Sequence, residues 1–321
     1  MSPAGAAPGL SVRLGPLSLK NPVMTASGTS GYGLELLPYF DISRIGGIVT
    51  KSLSLRPREG NPPPRLAETP AGMLNSIGLQ NIGVDAFIGE KLPVLRRHDV
   101  AVIASIFGET TEEFAKLAHA LDAAEGISGV ELNISCPNTA RGGIEFGVDP
   151  EATSRVTRAV REATRLPVIV KLSPNVTDIT LIARAAAEAG ADILSLVNTF
   201  MGMGVDAGSG GMILSSGSGG LSGPAIRPMA VHLVHRVAST VKVPVIGIGG
   251  IMTGHDALEF ILAGASAVQV GTATFTEPAA SLRILGEIRQ HCERRGAAAI
   301  SELVGSLKRR GGPPPAAPAG G

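Results

Sequence analysis

The chain has 321 residues and a formal net charge of +1, with 44% hydrophobic and 17% charged side chains, which supplies a large core and excludes a disordered chain. A near-neutral balance without a long basic run, together with no Trp, two Tyr and eight Phe, excludes the charged footprint and the stacking platforms of a nucleic-acid binder. Two cysteines, Cys136 and Cys292, make neither a disulfide framework nor a zinc set, no signal-peptide pattern opens the chain, and no apolar run reaches the roughly 18 residues of a membrane span, so a reducing, cytoplasmic setting is expected.

Residues 1–9 are rich in Pro, Gly and Ala and are expected to be disordered. SVRLGPLSLKNP (11–22) reads as a hairpin turning at Gly15-Pro16. Strands follow at PVMTAS (22–27) and GGIVTK (46–51), then a proline-rich segment (58–73) and the loop NSIGLQN (75–81). From there strands alternate with alanine-rich helical patterns: AVIASI (101–106), a helix over 111–125, GVELNI (129–134), a helix over 150–164, PVIVKL (167–172), a helix over 178–190 and DILSLV (192–197). A Gly/Ser-rich stretch (202–220) reads as a mobile loop whose charge is reduced to Asp206. A helix over 226–240, the strand PVIGIG (244–249), a helix over 256–265 and the strand AVQVG (267–271) complete the series. Cys292 in the final helix reads as a semi-buried packing residue, and residues 311–321 (GGPPPAAPAGG) are expected to form a disordered tail.

Strands that are apolar throughout belong in a parallel sheet covered on both faces. Eight βα units then predict an α/β TIM (β/α)8 barrel, one domain over 10–310, with the N-terminal hairpin plugging its bottom and inserted loops at its C-terminal face. Chemistry in such a barrel sits at the C-terminal strand ends. Those ends carry Ala26-Ser27, Lys51-Ser52, Ser105, Asn133 with Cys136 beyond it, Lys171, Asn198-Thr199, Gly249-Gly250 and Gly271-Thr272.

GIGGI (247–251) and QVGTAT (269–274) bring glycine turns to the last two units, where barrels hold phosphate groups against backbone N–H donors, and SGP (222–224) in the unit before them adds to that reading. Lys51 and Lys171 end apolar strands, and a buried ammonium needs an anion. Such cations suit a reduced flavin, and a Schiff-base lysine is the competing reading. NSIGLQN offers an amide and several backbone donors suited to an imide or carboxylate ligand, or is an ordinary turn. No His falls at a strand end, so Cys136 lacks both metal-ligand companions and a base partner. Flanked by Asn133 and Asn138, it is left as an acid or base.

NPVMTASGTSGYG, TKSLSLRPREGNPPPRLAETPAGMLNSIGLQN, ELNISCPN, VKLSPNVTD, GGLSGPAIRP and VIGIGGI with AVQVGTA together resemble the class 1B dihydroorotate dehydrogenases, in their catalytic FMN subunit. The resemblance implies oxidation of dihydroorotate to orotate in pyrimidine synthesis. Cys136 would take the C5 proton and FMN the C6 hydride. It implies substrate contacts at Lys51, Asn75, Ser76, Ile77, Gly78, Leu79, Asn133, Asn138, Asn198 and Thr199. Implied FMN contacts are Ser27, Lys51, Ser52, Ser105, Asn133, Lys171, Val197, Gly223, Gly249, Gly250, Gly271 and Thr272. Electrons would reach NAD through a partner subunit carrying FAD and a [2Fe–2S] cluster, with the catalytic subunit a homodimer inside a heterotetramer; no metal, nucleic acid or membrane is implied for this chain. Ser105 departs from the Asn of many relatives, which puts one flavin contact in doubt. A fumarate-linked class 1A enzyme, a pyrimidine-reducing flavoenzyme and a silent flavin-binding barrel are the alternatives.

Overall fold

The computed structural model describes residues 7–135 and 146–308. Eight parallel strands close into a barrel: β1 (Val23–Thr25), β2 (Gly47–Val49), β3 (Ala101–Ile106), β4 (Gly129–Asn133), β5 (Val168–Lys171), β6 (Ile193–Leu196), β7 (Val245–Ile248) and β8 (Ala267–Val270). Each pairs in parallel with its sequence neighbours, and β8 returns to β1 through Val268 opposite Val23. The strands are buried nearly throughout, as continuous β-branched runs demand when side chains fill the lumen on one face and meet helices on the other. This is the TIM (β/α)8 barrel expected from the sequence.

Helices Thr111–Asp122, Pro150–Ala163, Ile179–Glu188, Arg227–Ala238, Gly254–Ala263 and Ala280–Arg295 cover the outside. Their starts follow from local chemistry. Thr110, Asp149, Asp178 and Thr253 each accept a backbone N–H of the first turn, and Asp256 closes a capping box with Thr253. Cys292 packs on the last helix as expected, but is fully buried rather than semi-buried. No helix among the described residues is long and apolar enough to cross a membrane.

The N-terminal hairpin pairs Val12–Leu14 with Leu17–Leu19 and lies against the loop entering β6, where a Cβ on Gly15 would stand 3.4 Å from the Asp192 carbonyl. That is the N-terminal end of the barrel, away from the rim. Gly9, within the stretch expected to be disordered, donates to the Ala298 carbonyl at 2.8 Å and accepts from Ile300 N at 2.9 Å. Residues 1–6 and the tail 311–321 lie outside the described residues.

The largest difference from the sequence reading is on the C-terminal face. The segment expected as a Gly/Ser-rich loop contributes Phe200–Met203 and Ser218–Ser222 to a four-stranded antiparallel sheet with Gly72–Asn75 and Leu66–Thr69. A second small ladder pairs Val205–Asp206 with Gly211–Met212. Close approach explains the composition. A Cβ on Gly219 would stand 2.6 Å from the Asn75 carbonyl, and one on Gly220 would collide with the Thr199 side chain. The glycines let strands pass close to rim residues.

Candidate active site

The rim residues are joined by a run of hydrogen bonds. Ser52, just beyond β2, meets the Ser105 hydroxyl at 2.9 Å and accepts from Asn133 Nδ2 at 3.1 Å. Asn198 Nδ2 donates to Asn133 Oδ1 at 3.3 Å, and Asn198 Oδ1 accepts from Thr199 N at 2.8 Å. Ser27 approaches Ser52 at 3.5 Å from the end of β1. Residues scattered from 27 to 199 in sequence therefore share one polar surface, because parallel strands deliver their C-terminal ends to the same side. Ser105 is fully buried beneath Ser52, so within the described residues its hydroxyl acts on Ser52.

Lys51 follows β2, with its backbone N–H donating to Gly31 at 2.8 Å. Burial lowers the pKa of its ammonium, and the nearby Arg65 guanidinium lowers it further. With no carboxylate paired to either cation among the described residues, Lys51 and Arg65 suit an anionic ligand. Arg65 is itself held by the carbonyl of Asn61 at 3.3 Å and by Gln80 Oε1 at 2.7 Å. The proline-rich segment thereby supplies a charged wall that the sequence pattern did not disclose.

The loop 75–81 is built into the same face. Asn75 ends its strand and donates through Nδ2 to the Gly220 carbonyl at 3.2 Å. Ser76 receives Asn61 Nδ2 at 2.9 Å and meets Ser216 Oγ at 2.6 Å, while Ile77 accepts from Asn61 N at 3.0 Å. Gly78 has φ 75° and Leu79 φ 58°. A left-handed leucine is uncommon and is held here by its surroundings, its carbonyl accepting from Asn81 at 2.8 Å. This is more than an ordinary turn.

On the opposite side of the rim, Gly223, Gly249 and Gly250 form a shallow cradle. A Cβ on Gly250 would stand 2.7 Å from the Gly223 carbonyl and one on Gly249 would stand 2.8 Å from Ala230 Cβ, so both positions admit only glycine-sized backbone. Thr272 closes the cradle by donating to Ser222 at 2.9 Å, and Gly271 and Val197 lie at the ends of their strands beside it. The N–H-rich glycine turns suit a phosphate group. Lys171, the last residue of β5, stands between this cradle and Asn133 in strand order, buried to 6% exposure.

Cys136 and Asn138 lie outside the described residues. Sequence reasoning missed the residues beneath the rim. Glu131, Ser195 and Gln269 sit inside strands that read as apolar, with nothing in periodicity to set them apart from core. The single signal was a carboxylate within an otherwise apolar strand, GVELNI, next to a strand ending in lysine.

Residues 9–292 match the family described as "Dihydroorotate dehydrogenase". The chain is 56% identical over 301 residues to "Dihydroorotate dehydrogenase B (NAD(+)), catalytic subunit" of Geobacter metallireducens, covering 94% of this chain and 99% of that one. It is 54% identical over 303 residues to the protein of the same name from Geotalea daltonii, with 94% and 99% covered. The Geobacter sulfurreducens protein of that name is 56% identical over 301 residues at the same coverage. Motifs, barrel, polar rim and near full-length identity agree, and the chain belongs to the dihydroorotate dehydrogenase family.

Proposed function

We propose that this chain oxidises (S)-dihydroorotate to orotate in de novo pyrimidine biosynthesis, as the catalytic subunit of an NAD-linked enzyme. The observation that carries the reading is the joined set Ser52, Asn133, Asn198 and Thr199 facing a glycine cradle, with Lys51 beside it. The relatives at 52–56% identity bear the NAD-linked name.

The residues present fit FMN. Gly223, Gly249, Gly250, Gly271 and Thr272 would hold its phosphate, and Ser27, Lys51, Ser52, Asn133, Lys171 and Val197 would surround its ring, with Ser105 supporting Ser52. When bound, FMN supplies a two-electron acceptor for the C6 hydride. The chain's own residues do the rest. The Lys51 ammonium holds the substrate carboxylate, and the amides of Asn75, Asn133, Asn138 and Asn198 orient the planar ring with Thr199 and the loop 76–79. Cys136, as thiolate, takes the C5 proton when the C6 hydride leaves, so the two losses create the C5=C6 double bond. Conserving charge, the carboxylate stays paired with Lys51 throughout.

Electrons then pass to NAD through a partner carrying FAD and a [2Fe–2S] cluster. No cysteine set for such a cluster occurs in this chain, whose two cysteines are Cys136 and Cys292. Met201 and Met203 on the added sheet and Val205 and Met212 on the small ladder beside it are each more than half exposed, an apolar face of the kind that pairs with another chain and that supports a homodimer within a larger assembly. The test is turnover. The FMN-loaded chain should form orotate from dihydroorotate with an artificial dye as acceptor, and should reduce NAD only when co-purified with the partner. Reduction of fumarate by the chain alone would place it with the fumarate-linked enzymes instead.

A further inference from the structure

Glu131 is the one carboxylate buried in the barrel lumen among the described residues, and its surroundings are specific. It is fully buried on β4, and its Oε2 accepts from Ser195 Oγ on β6 at 3.0 Å and from Gln269 Nε2 on β8 at 2.7 Å. In the closed strand order β4 and β8 stand opposite each other, so this side chain spans the lumen. Its Oε1 has no hydrogen-bond donor among the described residues and lies 3.9 Å from Lys171 Nζ. Lys171 and Glu131 side chains are 8% and 0% exposed, and no hydrogen bond of the ammonium is made within the described residues.

The arrangement separates two tasks. Ser195 and Gln269 fix the carboxylate, so Lys171 is not needed to hold it in place. Lys171 is close enough for strong attraction and too far for a hydrogen bond, which leaves its N–H donors for a group at the rim. An isolated ammonium in such a lumen is expensive, and an unpaired one gives up its charge or its position.

We infer that Glu131 is a positioning residue: its lumen carboxylate, clamped by Ser195 and Gln269, keeps the Lys171 ammonium directed at the rim, where it favours the reduced, anionic form of the bound flavin. This rests on the proposed flavin reading of the rim. Glu131 touches neither substrate nor cofactor in this role and acts through Lys171 alone.

The experiment compares the FMN-loaded wild type with Glu131→Gln, Lys171→Met and the double variant, by anaerobic equilibration of the flavin against a reference dye. Losing a cation at the flavin-facing rim should lower the ratio of reduced to oxidised flavin about tenfold or more at fixed dye poise. Glu131→Gln should shift the flavin in the same direction as Lys171→Met, and the double variant should equal Lys171→Met alone. A shift toward easier reduction in Glu131→Gln, no shift, or additive effects in the double variant would overturn the inference. If Glu131→Gln alone fails to retain FMN, the double variant decides. Retention there assigns the defect to the unpaired ammonium, as inferred, and equal failure makes Glu131 a fold element and overturns the role. A wild type that binds no FMN would sink the flavin reading itself, which is a separate result.

Discussion

Lys51 and Lys171 are both strand-end lysines, and the structure gives them different company. Lys171 has a carboxylate below it, whereas Lys51 has burial and the Arg65 charge, both of which favour its neutral form. The folded pKa of Lys51 is therefore depressed below the ordinary 10.5. An anionic ligand binds best while Lys51 is protonated. As pH rises through this depressed value, still short of 10.5, orotate affinity should fall, which titration by flavin absorbance would follow. Lys51→Met should weaken orotate about tenfold to a hundredfold at neutral pH and flatten that pH dependence, since charged hydrogen bonds contribute about 1.5–3 kcal/mol. An unchanged pH profile in Lys51→Met would remove Lys51 from the carboxylate site. At this scale the sequence disclosed the rim well, because strand ends, polar residues and glycines announce themselves where apolar runs stop. Glu131, Ser195 and Gln269 were hidden, because a polar side chain facing a barrel lumen leaves no periodic mark, and its partners lie up to 138 positions away.

The added sheet shows where composition misleads. Gly and Ser in 202–220 suggested mobility, yet Ser218–Ser222 pairs with Met73–Asn75 across more than a hundred residues of sequence, and Phe200–Met203 pairs with Ser218–Leu221. Small residues serve there to bring backbone against Asn75 and Thr199, and Asn175 anchors the first strand by donating to Thr199 O at 3.0 Å and accepting from Met201 N at 3.0 Å. Gly220→Ala should push the Thr199 side chain, destabilise the fold by about 1–3 kcal/mol as overpacking does, and weaken orotate about tenfold. Thermal unfolding and ligand titration read the two effects separately. A variant with wild-type orotate affinity would show that Thr199 does not need its present place. The barrel strands and the helices over 111–122, 150–163, 179–188, 227–238 and 254–263, by contrast, were legible to within a few residues, because capping residues and unbroken β-branched runs are local signals that tertiary contacts reinforce. The helical stretch from Val84 to Leu95, which has no side-chain cap, was not read.

At the scale of the molecule, parallel closure gathers a strand end from every unit onto one face, and the sheet over that face adds the loop 75–79 and Thr199. One side of the opening is amide and cation, and the other is a glycine cradle. In the proposed reading, a polar ring with a carboxylate would lie on the first side and a flavin phosphate on the second. The apolar outer face of the added sheet is set apart from this opening in chemistry and suits a protein partner. The central claim is that the chain removes a proton and a hydride from dihydroorotate, with Cys136 as the base. Anaerobic rapid mixing of the FMN-loaded chain with dihydroorotate measures this most directly. Flavin absorbance should bleach in the wild type, and in Cys136→Ala it should bleach ~10²–10⁴-fold more slowly with FMN still bound. A wild-type flavin that stays oxidised, or a Cys136→Ala variant that bleaches at the wild-type rate, would contradict the account.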